Sequence, residues 1–205
     1  MKLYGHPQSP FDRKVRVVLA EKGLAYEAVS VVPGSRTPEL LALHPLGKIP
    51  VLRDGDVVVP DSSVICAYLE RKHPEPALYP AYPAELARAL FLEEYADTAL
   101  NDVMRALVFE RFVKPNALRQ VTDASRVEEL LAQALPPLLD YLESQLPADH
   151  GTVLARFSIA DAALGAQLGR LSVADLEVDA RRWPRTSRYS RALLARPSFE
   201  AALAG

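Results

Sequence analysis

The 205-residue chain contains one cysteine, Cys66, so no internal disulfide and no multi-cysteine metal site is possible. It has one tryptophan and two methionines, which leaves aliphatic and alanine side chains to build the core. No stretch of 18 apolar residues occurs, which excludes a helical membrane span. There is no basic excess: 24 lysines and arginines face 26 acidic residues, for a net charge of −2. A nucleic-acid binder usually carries a surplus of positive charge, so no nucleic acid is expected as a partner. Nor is the chain polar enough for disorder, since 49% of it is hydrophobic and 24% charged. The opening residues MKLYGHPQSPFDRKVR lack the apolar core of a secretory signal, which predicts a cytoplasmic location.

Two compositions meet near residue 78. Residues 1–77 hold 13 of the 22 valines and isoleucines but only 6 of the 30 alanines. β-Branched residues favour strands and alanine favours helix, so the first part reads as mixed α/β and the rest as all-α. Between them, residues 73–83 (HPEPALYPAYP) carry four prolines, which resist helix and sheet and predict a semi-rigid linker. The expected domains are therefore 1–77 and 84–205.

Turn chemistry orders the first part. MKLYG reads as a strand. Ser9-Pro10 opens a helix, with a preferred N-cap followed by the residue best tolerated at the first helical position. Val15, Val18 and Leu19 share its inner face, and Gly23 ends it. Tyr26 to Val32 forms the next strand and Pro38 to Leu43 a short helix. Asp54-Gly55 is a strong hairpin signal between Ile49–Arg53 and Val57–Val59. Asp61-Ser62-Ser63 caps a helix running towards Arg71, with Ile65 and Leu69 inward. The order is βαβαββα.

The second part reads as helices. From Glu85, apolar residues recur at three- and four-residue steps to Leu107, and Pro115 is expected to end this helix. Another runs from about Ser125 to Leu146, bent at Pro136-Pro137. Ser158 to Asp161 resembles a capping box and opens a very apolar helix, Ala160 to Leu171. Two shorter helices close the chain, near 187–195 and 198–204.

Taken together, Ser9-Pro10-Phe11 followed by RKVRVVLAEKGL, the turn HPLGKIPVL at 44–52, the helix opening Asp61-Ser62-Ser63-Val64-Ile65, FSIADAAL at 157–164 and RPSFEAAL at 196–203 resemble the cytosolic glutathione transferase family. Each fragment alone is common; their order and spacing over nearly the whole chain carry the resemblance. It implies a thioredoxin-like N-terminal domain and an all-helical C-terminal domain. It also implies an enzyme that uses glutathione as co-substrate, requires no metal, acts on a small hydrophobic electrophile and assembles as a homodimer.

The resemblance assigns roles residue by residue. Ser9 stands where the family places its thiolate-stabilising residue, so its hydroxyl would hold the glutathione sulfur. Taken without the family, Ser9 is an ordinary N-cap. Ile49 and Pro50 would form a turn with a cis peptide bond, offering the Ile49 backbone to the cysteinyl unit. Asp61 and Ser62 would meet the γ-glutamyl end, the amide and hydroxyl of Ser62 taking its carboxylate and Asp61 its ammonium. Lys48 would approach the glycyl carboxylate; Ser35 and Arg36 match further glycyl contacts only weakly. The electrophile would lie between the domains, against Met104, Arg105, Val108 and Phe109. Asp97 would reach the glutathione of the partner subunit.

Other candidates read as structural. Tyr4 sits in a strand, and Cys66 falls beside Ile65 as a buried thiol. His6 is a surface residue near the mouth of the site. His44, His73 and His150 have no metal-ligand spacing. Glutathione-dependent peroxide or disulfide reduction is a close alternative activity. A non-catalytic interaction module is a second class. Maleylacetoacetate isomerisation is disfavoured, because that branch usually opens Ser-Ser-Cys where this chain has Gln8-Ser9-Pro10.

Overall fold

The computed structural model describes residues 1–32, 34–148 and 151–204. The chain forms two compact units: Met1–Pro83 together with Ala195–Gly205, and Ala84–Leu194.

The first unit is built on β1 (Lys2–Gly5), α1 (Pro10–Glu21), β2 (Glu27–Ser30), α2 (Pro38–Leu43), β3 (Val51–Asp54), β4 (Val57–Pro60) and α3 (Ser62–Lys72). The expected element order is observed. The strands form one sheet in the order β2-β1-β3-β4. β1 pairs parallel with β2, as a crossover through a helix requires, and antiparallel with β3; the Asp54-Gly55 turn joins β3 to β4. Leu3, Val51 and Leu52 are fully buried on the sheet, as are Ile65 and Leu69 on α3.

The helix α1 departs from the expected one-sided packing. Every residue from Asp12 to Leu19 is buried, including Asp12, Arg13, Lys14 and Arg16. The cause is a non-local element. The last helix, α11 (Pro197–Ala204), belongs to this unit and packs on α1, while α3 packs on α1 as well. Arg196 and Ser198 fasten the C-terminal segment to Glu21 at 3.0 and 2.6 Å. The division observed thus differs from the expected 84–205 domain: its final helix joins the first unit, because its apolar face, with Phe199 fully buried, finds its partner there.

The proline-rich stretch is held in place rather than free to act as a linker over its whole length. The buried Lys22 ammonium donates to the carbonyls of His73 and Pro76 at 2.7 and 2.8 Å and pairs with Glu70 at 2.8 Å. Glu70 in turn accepts the amides of Leu78 and Tyr79. Prolines leave few backbone donors, so side chains supply the partners.

The second unit is helical. α4 (Pro83–Tyr95) continues through a wide π-helical turn at Ala96–Leu100 into α5 (Asn101–Val108) and a second wide stretch, Phe109–Leu118. Pro115 does not end this helix; it lies within the last wide turns, and Arg119 at φ 54° stops the helix instead. In an α-helix the proline ring meets the carbonyl four residues back; the wider π turn moves that carbonyl aside. Leu92, Ala96, Leu100, Met104 and Leu107 form its buried stripe. α6 (Ala124–Glu129) passes through a wide turn at Leu130–Ala134 into α7 (Leu135–Gln145), with Pro136 in its first turn. α8 (Ile159–Leu168) is buried on every face, as its composition predicts. The short α9 (Arg170–Val173) and α10 (Pro184–Leu194) complete the unit.

Carboxylates staple α10 to α7. Asp140 accepts the Trp183 indole N–H at 2.6 Å and the Arg182 guanidinium at 2.9 Å, and these bonds hold its pKa below the ordinary value. A depressed carboxyl binds fewer protons in the folded state than in the unfolded state, so its contribution is present above about pH 4 and is lost as pH falls through the folded value. Melting temperature is therefore expected to fall as pH drops from 6 to 3, with Asp140→Asn showing a shallower slope. Parallel slopes for parent and variant would remove Asp140 from this role.

Candidate functional site

Sheet register brings three segments to one end of the first unit. Tyr4, near the end of β1, pairs with Val51, the first residue of β3, and Val51 pairs with Pro60, the last of β4. These three positions form a row across the sheet, each roughly 5 Å from the next. Ser9 follows β1, Ile49-Pro50 precedes β3, and Asp61-Ser62 follows β4. All three therefore leave the sheet at the same edge, although more than 50 residues separate the first from the last.

Ser9 is the N-cap of α1, with extended backbone (φ −75°, ψ 123°). Its Oγ accepts the Asp12 amide at a long 3.4 Å. Its own amide donates to the His6 carbonyl at 2.8 Å, which closes the turn between β1 and α1. Capping uses only a lone pair of the hydroxyl, whose O–H hydrogen has no acceptor among the described residues. Ser9 is half-buried, so that hydrogen is available to an incoming anion. The capping role and the thiolate-holding role are compatible in one side chain.

The Ile49–Pro50 peptide is cis. Ile49 is half-buried, Pro50 buried and Lys48 exposed. Lys48 thus stands at the solvent edge of this loop. The loop is braced from within: Arg36 donates to the Leu46 carbonyl at 3.2 Å, and the buried His44 accepts the Leu46 amide through Nδ1 at 3.1 Å. His44 is therefore structural, and Arg36 serves the loop.

Asp61 adopts φ 75°, ψ 134°, a backbone region costing a non-glycine residue roughly 1–3 kcal/mol. Its carboxylate accepts the amides of Ser63 and Val64 at 2.9 and 3.3 Å, so the strained residue caps α3. Ser62 is 3% exposed at the positive end of that 11-residue helix. The Lys14 ammonium reaches across from α1 to the Ser63 hydroxyl at 2.9 Å. Lys14 was not legible as a site neighbour, since a lysine in a run of charged residues reads as solvated.

The helical-unit candidates lie on one continuous helical run at different depths. Met104 is 1% exposed and belongs to the core stripe. Arg105 is exposed and faces Asp102 at 3.9 Å, Val108 is half-buried and Phe109 exposed. Asp97 is half-buried in the Ala96–Leu100 turn. Tyr4 is half-buried in β1, and His6 accepts the Gln8 amide. Cys66, the single cysteine of the chain, is a fully buried thiol. His150 lies outside the described residues. Among the described residues no group of three or more histidine, cysteine or acidic side chains is placed to hold a metal ion, and no helix is long and apolar enough to cross a membrane.

A β2-β1-β3-β4 sheet with one parallel and two antiparallel pairings, carrying α1 and α3 and accompanied by a helical unit, is a thioredoxin-like domain with an all-α domain. Residues 3–77 match the glutathione S-transferase N-terminal domain and residues 91–192 the C-terminal domain. The chain is 34% identical to glutathione S-transferase 3 of Zea mays, over 100% of this chain and 93% of that protein. It is 31% identical to a maleylacetoacetate isomerase of Pseudomonas aeruginosa, over 98% and 95% of the two chains. A glutathione S-transferase from Methylobacterium radiotolerans, solved in complex with glutathione sulfonate, superposes with a TM-score of 0.79 at 33% identity, covering 98% of this chain and 93% of that one. The chain belongs to the glutathione S-transferase family and is an enzyme of that family.

Proposed function

We propose that this protein conjugates the glutathione thiolate to a small hydrophobic electrophile, with Ser9 holding the sulfur. The observation that carries this reading is the single sheet edge shared by Ser9, Ile49-Pro50 and Asp61-Ser62. The spread of these anchors fits an extended tripeptide. The Ile49 backbone pairs with the cysteinyl unit as an added strand would. The α3 N-terminus with Ser62 takes the γ-glutamyl carboxylate, and Asp61 faces the ammonium. Lys48 approaches the glycyl carboxylate. The thiol gives its proton to solvent, and the sulfur forms a new bond to the electrophilic carbon while that carbon releases a leaving group or an electron pair.

A thiol with a reference pKa near 8.5 is mostly protonated at neutral pH, and lowering it by about two units takes about 2.7 kcal/mol. One charge-assisted hydrogen bond from Ser9 contributes roughly 1.5–3 kcal/mol and the α1 N-terminus about 0.3–2 kcal/mol more. No general base on the protein is needed. The family membership supports glutathione as co-substrate, and the bound glutathione sulfonate of the Methylobacterium relative supports the same site class. The electrophile lies against Arg105, Val108 and Phe109 in this proposal, with Met104 behind them in the core. Asp97 contributes to the partner subunit's site in a homodimer. The Gln8-Ser9-Pro10 opening favours conjugation over the isomerisation named for the Pseudomonas relative.

Calorimetric titration with glutathione is expected to show one site per chain saturating in the millimolar range or below. An absence of heat at millimolar ligand favours a non-catalytic interaction module. A screen of haloarenes, epoxides and hydroperoxides then separates conjugation from peroxide reduction.

A further inference from the structure

The α1 N-terminus carries a feature that packing alone does not explain. Arg13, one turn after Ser9, is 3% exposed, yet its Nε and Nη1 are buried without a hydrogen-bond partner. Only Nη2 is engaged, donating to the Pro7 carbonyl at 3.3 Å. A buried donor left unsatisfied is unfavourable, and native structures retain few of them without a use.

The side chain of Arg13 donates to the Pro7 carbonyl and so ties α1 to the turn that carries Ser9, while its backbone amide makes the ordinary helical bond to the Ser9 carbonyl at 2.9 Å. Asp12 on the same helix is an acidic neighbour that acts on the Arg13 charge, but its carboxylate is shared: Oδ2 is bonded to Arg16 at 2.6 Å, so one carboxylate stands against two guanidinium groups. Gly5 permits this buried arrangement, because a Cβ there would stand 1.9 Å from Asp12 Oδ1. His6 in the preceding turn and Lys14 on the next position of α1 bring no carboxylate to Arg13, and Lys14 bonds to Ser63 across on α3. Burial pulls the Arg13 guanidinium below its ordinary value, but a guanidinium remains protonated at neutral pH.

We propose that Arg13 is a positioning residue for the thiolate: it fixes the Pro7–Ser9 turn and adds a buried positive charge beneath the N-terminus of α1, lowering the pKa of the bound thiol beyond what Ser9 achieves. This rests on the proposed glutathione site. An interior positive charge acts with little screening and favours the anionic form of a nearby group. The thiol proton still leaves to solvent; Arg13 accepts none.

The test is the ionisation of glutathione bound to the full-length protein, followed by thiolate ultraviolet absorbance from pH 5 to 9. Arg13→Met is expected to raise the bound-thiol pKa by about one unit, leaving about three-fold less thiolate at pH 7 and approaching ten-fold less near pH 5, with glutathione affinity changed only a few-fold. Arg13→Lys keeps the charge and is expected to stay within a few tenths of a unit of the parent, which also guards against a misfolded methionine variant. A parent pKa unchanged in Arg13→Met while turnover falls would reduce Arg13 to packing and overturn the inference, leaving the proposed function standing. Parent protein that neither binds glutathione nor lowers its thiol pKa would overturn both.

Discussion

Replacing Ser9 by alanine is expected to lower kcat/KM for conjugation by ten- to a hundred-fold while glutathione affinity stays within several-fold. In the proposed site the hydroxyl acts on the sulfur anion, whereas affinity comes mainly from the Ile49 backbone and the Asp61-Ser62 end. Losing one charge-assisted hydrogen bond, roughly 1.5–3 kcal/mol, raises the bound-thiol pKa by about one to two units. The defect has a definite pH signature. Below the parent thiol pKa both enzymes hold only a fraction of thiolate, and the ratio of their rates is largest. As pH rises through the variant's raised pKa the fractions converge and the ratio shrinks. The long 3.4 Å bond to the Asp12 amide makes Ser9 a modest cap, so stability is expected to change by about 0.5–1 kcal/mol only. Equal rates and equal bound-thiol pKa values in Ser9→Ala and parent would sink the assignment, whatever happened to folding. Ser9→Thr, which keeps the hydroxyl and the cap, is expected to retain most of the rate.

What could be seen beforehand follows the range of the forces involved. The βαβαββα order was legible because local chemistry writes it: a serine and proline at a helix start, Asp54-Gly55 at a hairpin, Asp61 at a cap. Candidate anchors were legible only through the family's motifs, since an isolated serine cap or Ile-Pro pair has no distinctive chemistry. Sheet register brings these segments to one end of the sheet, because Tyr4, Val51 and Pro60 align only once the strand order is known. Tertiary burial was not legible. Asp12, Arg13, Lys14 and Arg16 fall outside the inner face expected at Val15, Val18 and Leu19, and they are buried by long-range neighbours, Gly5 of β1 against Asp12 and α3 and α11 packed on α1. Pro115 misled for a related reason: helix-breaking by proline assumes α geometry, and the surrounding turns are π-helical.

The largest stability effect is expected at Asp161, whose side chain joins three otherwise separate pieces of the helical unit. Oδ2 accepts the Ser158 amide and hydroxyl, both at 2.9 Å, fixing the start of α8. Oδ1 accepts the Val153 amide at 2.8 Å from the preceding loop and the Tyr189 hydroxyl at 2.8 Å from α10. The residue is fully buried, so water cannot replace it. Asp161→Ala strands two backbone amides and a phenol, each unsatisfied buried group costing roughly 1–3 kcal/mol, and also removes a cap. The sum points to a loss of about 3–5 kcal/mol, or about 6–20 °C in melting temperature for a chain of this size. Asp161→Asn preserves the shape but brings amide hydrogens to a pocket that offers four donors. It can accept through one oxygen only, so it is expected to lose a large part of the same stability. Ser158→Ala removes a single donor and leaves the amide bond in place, so a loss near 1 kcal/mol is expected. Thermal unfolding of the three variants ranks them. A ranking with Ser158→Ala as damaging as Asp161→Ala would mean that the cap alone, rather than the three-way junction, holds α8 in place.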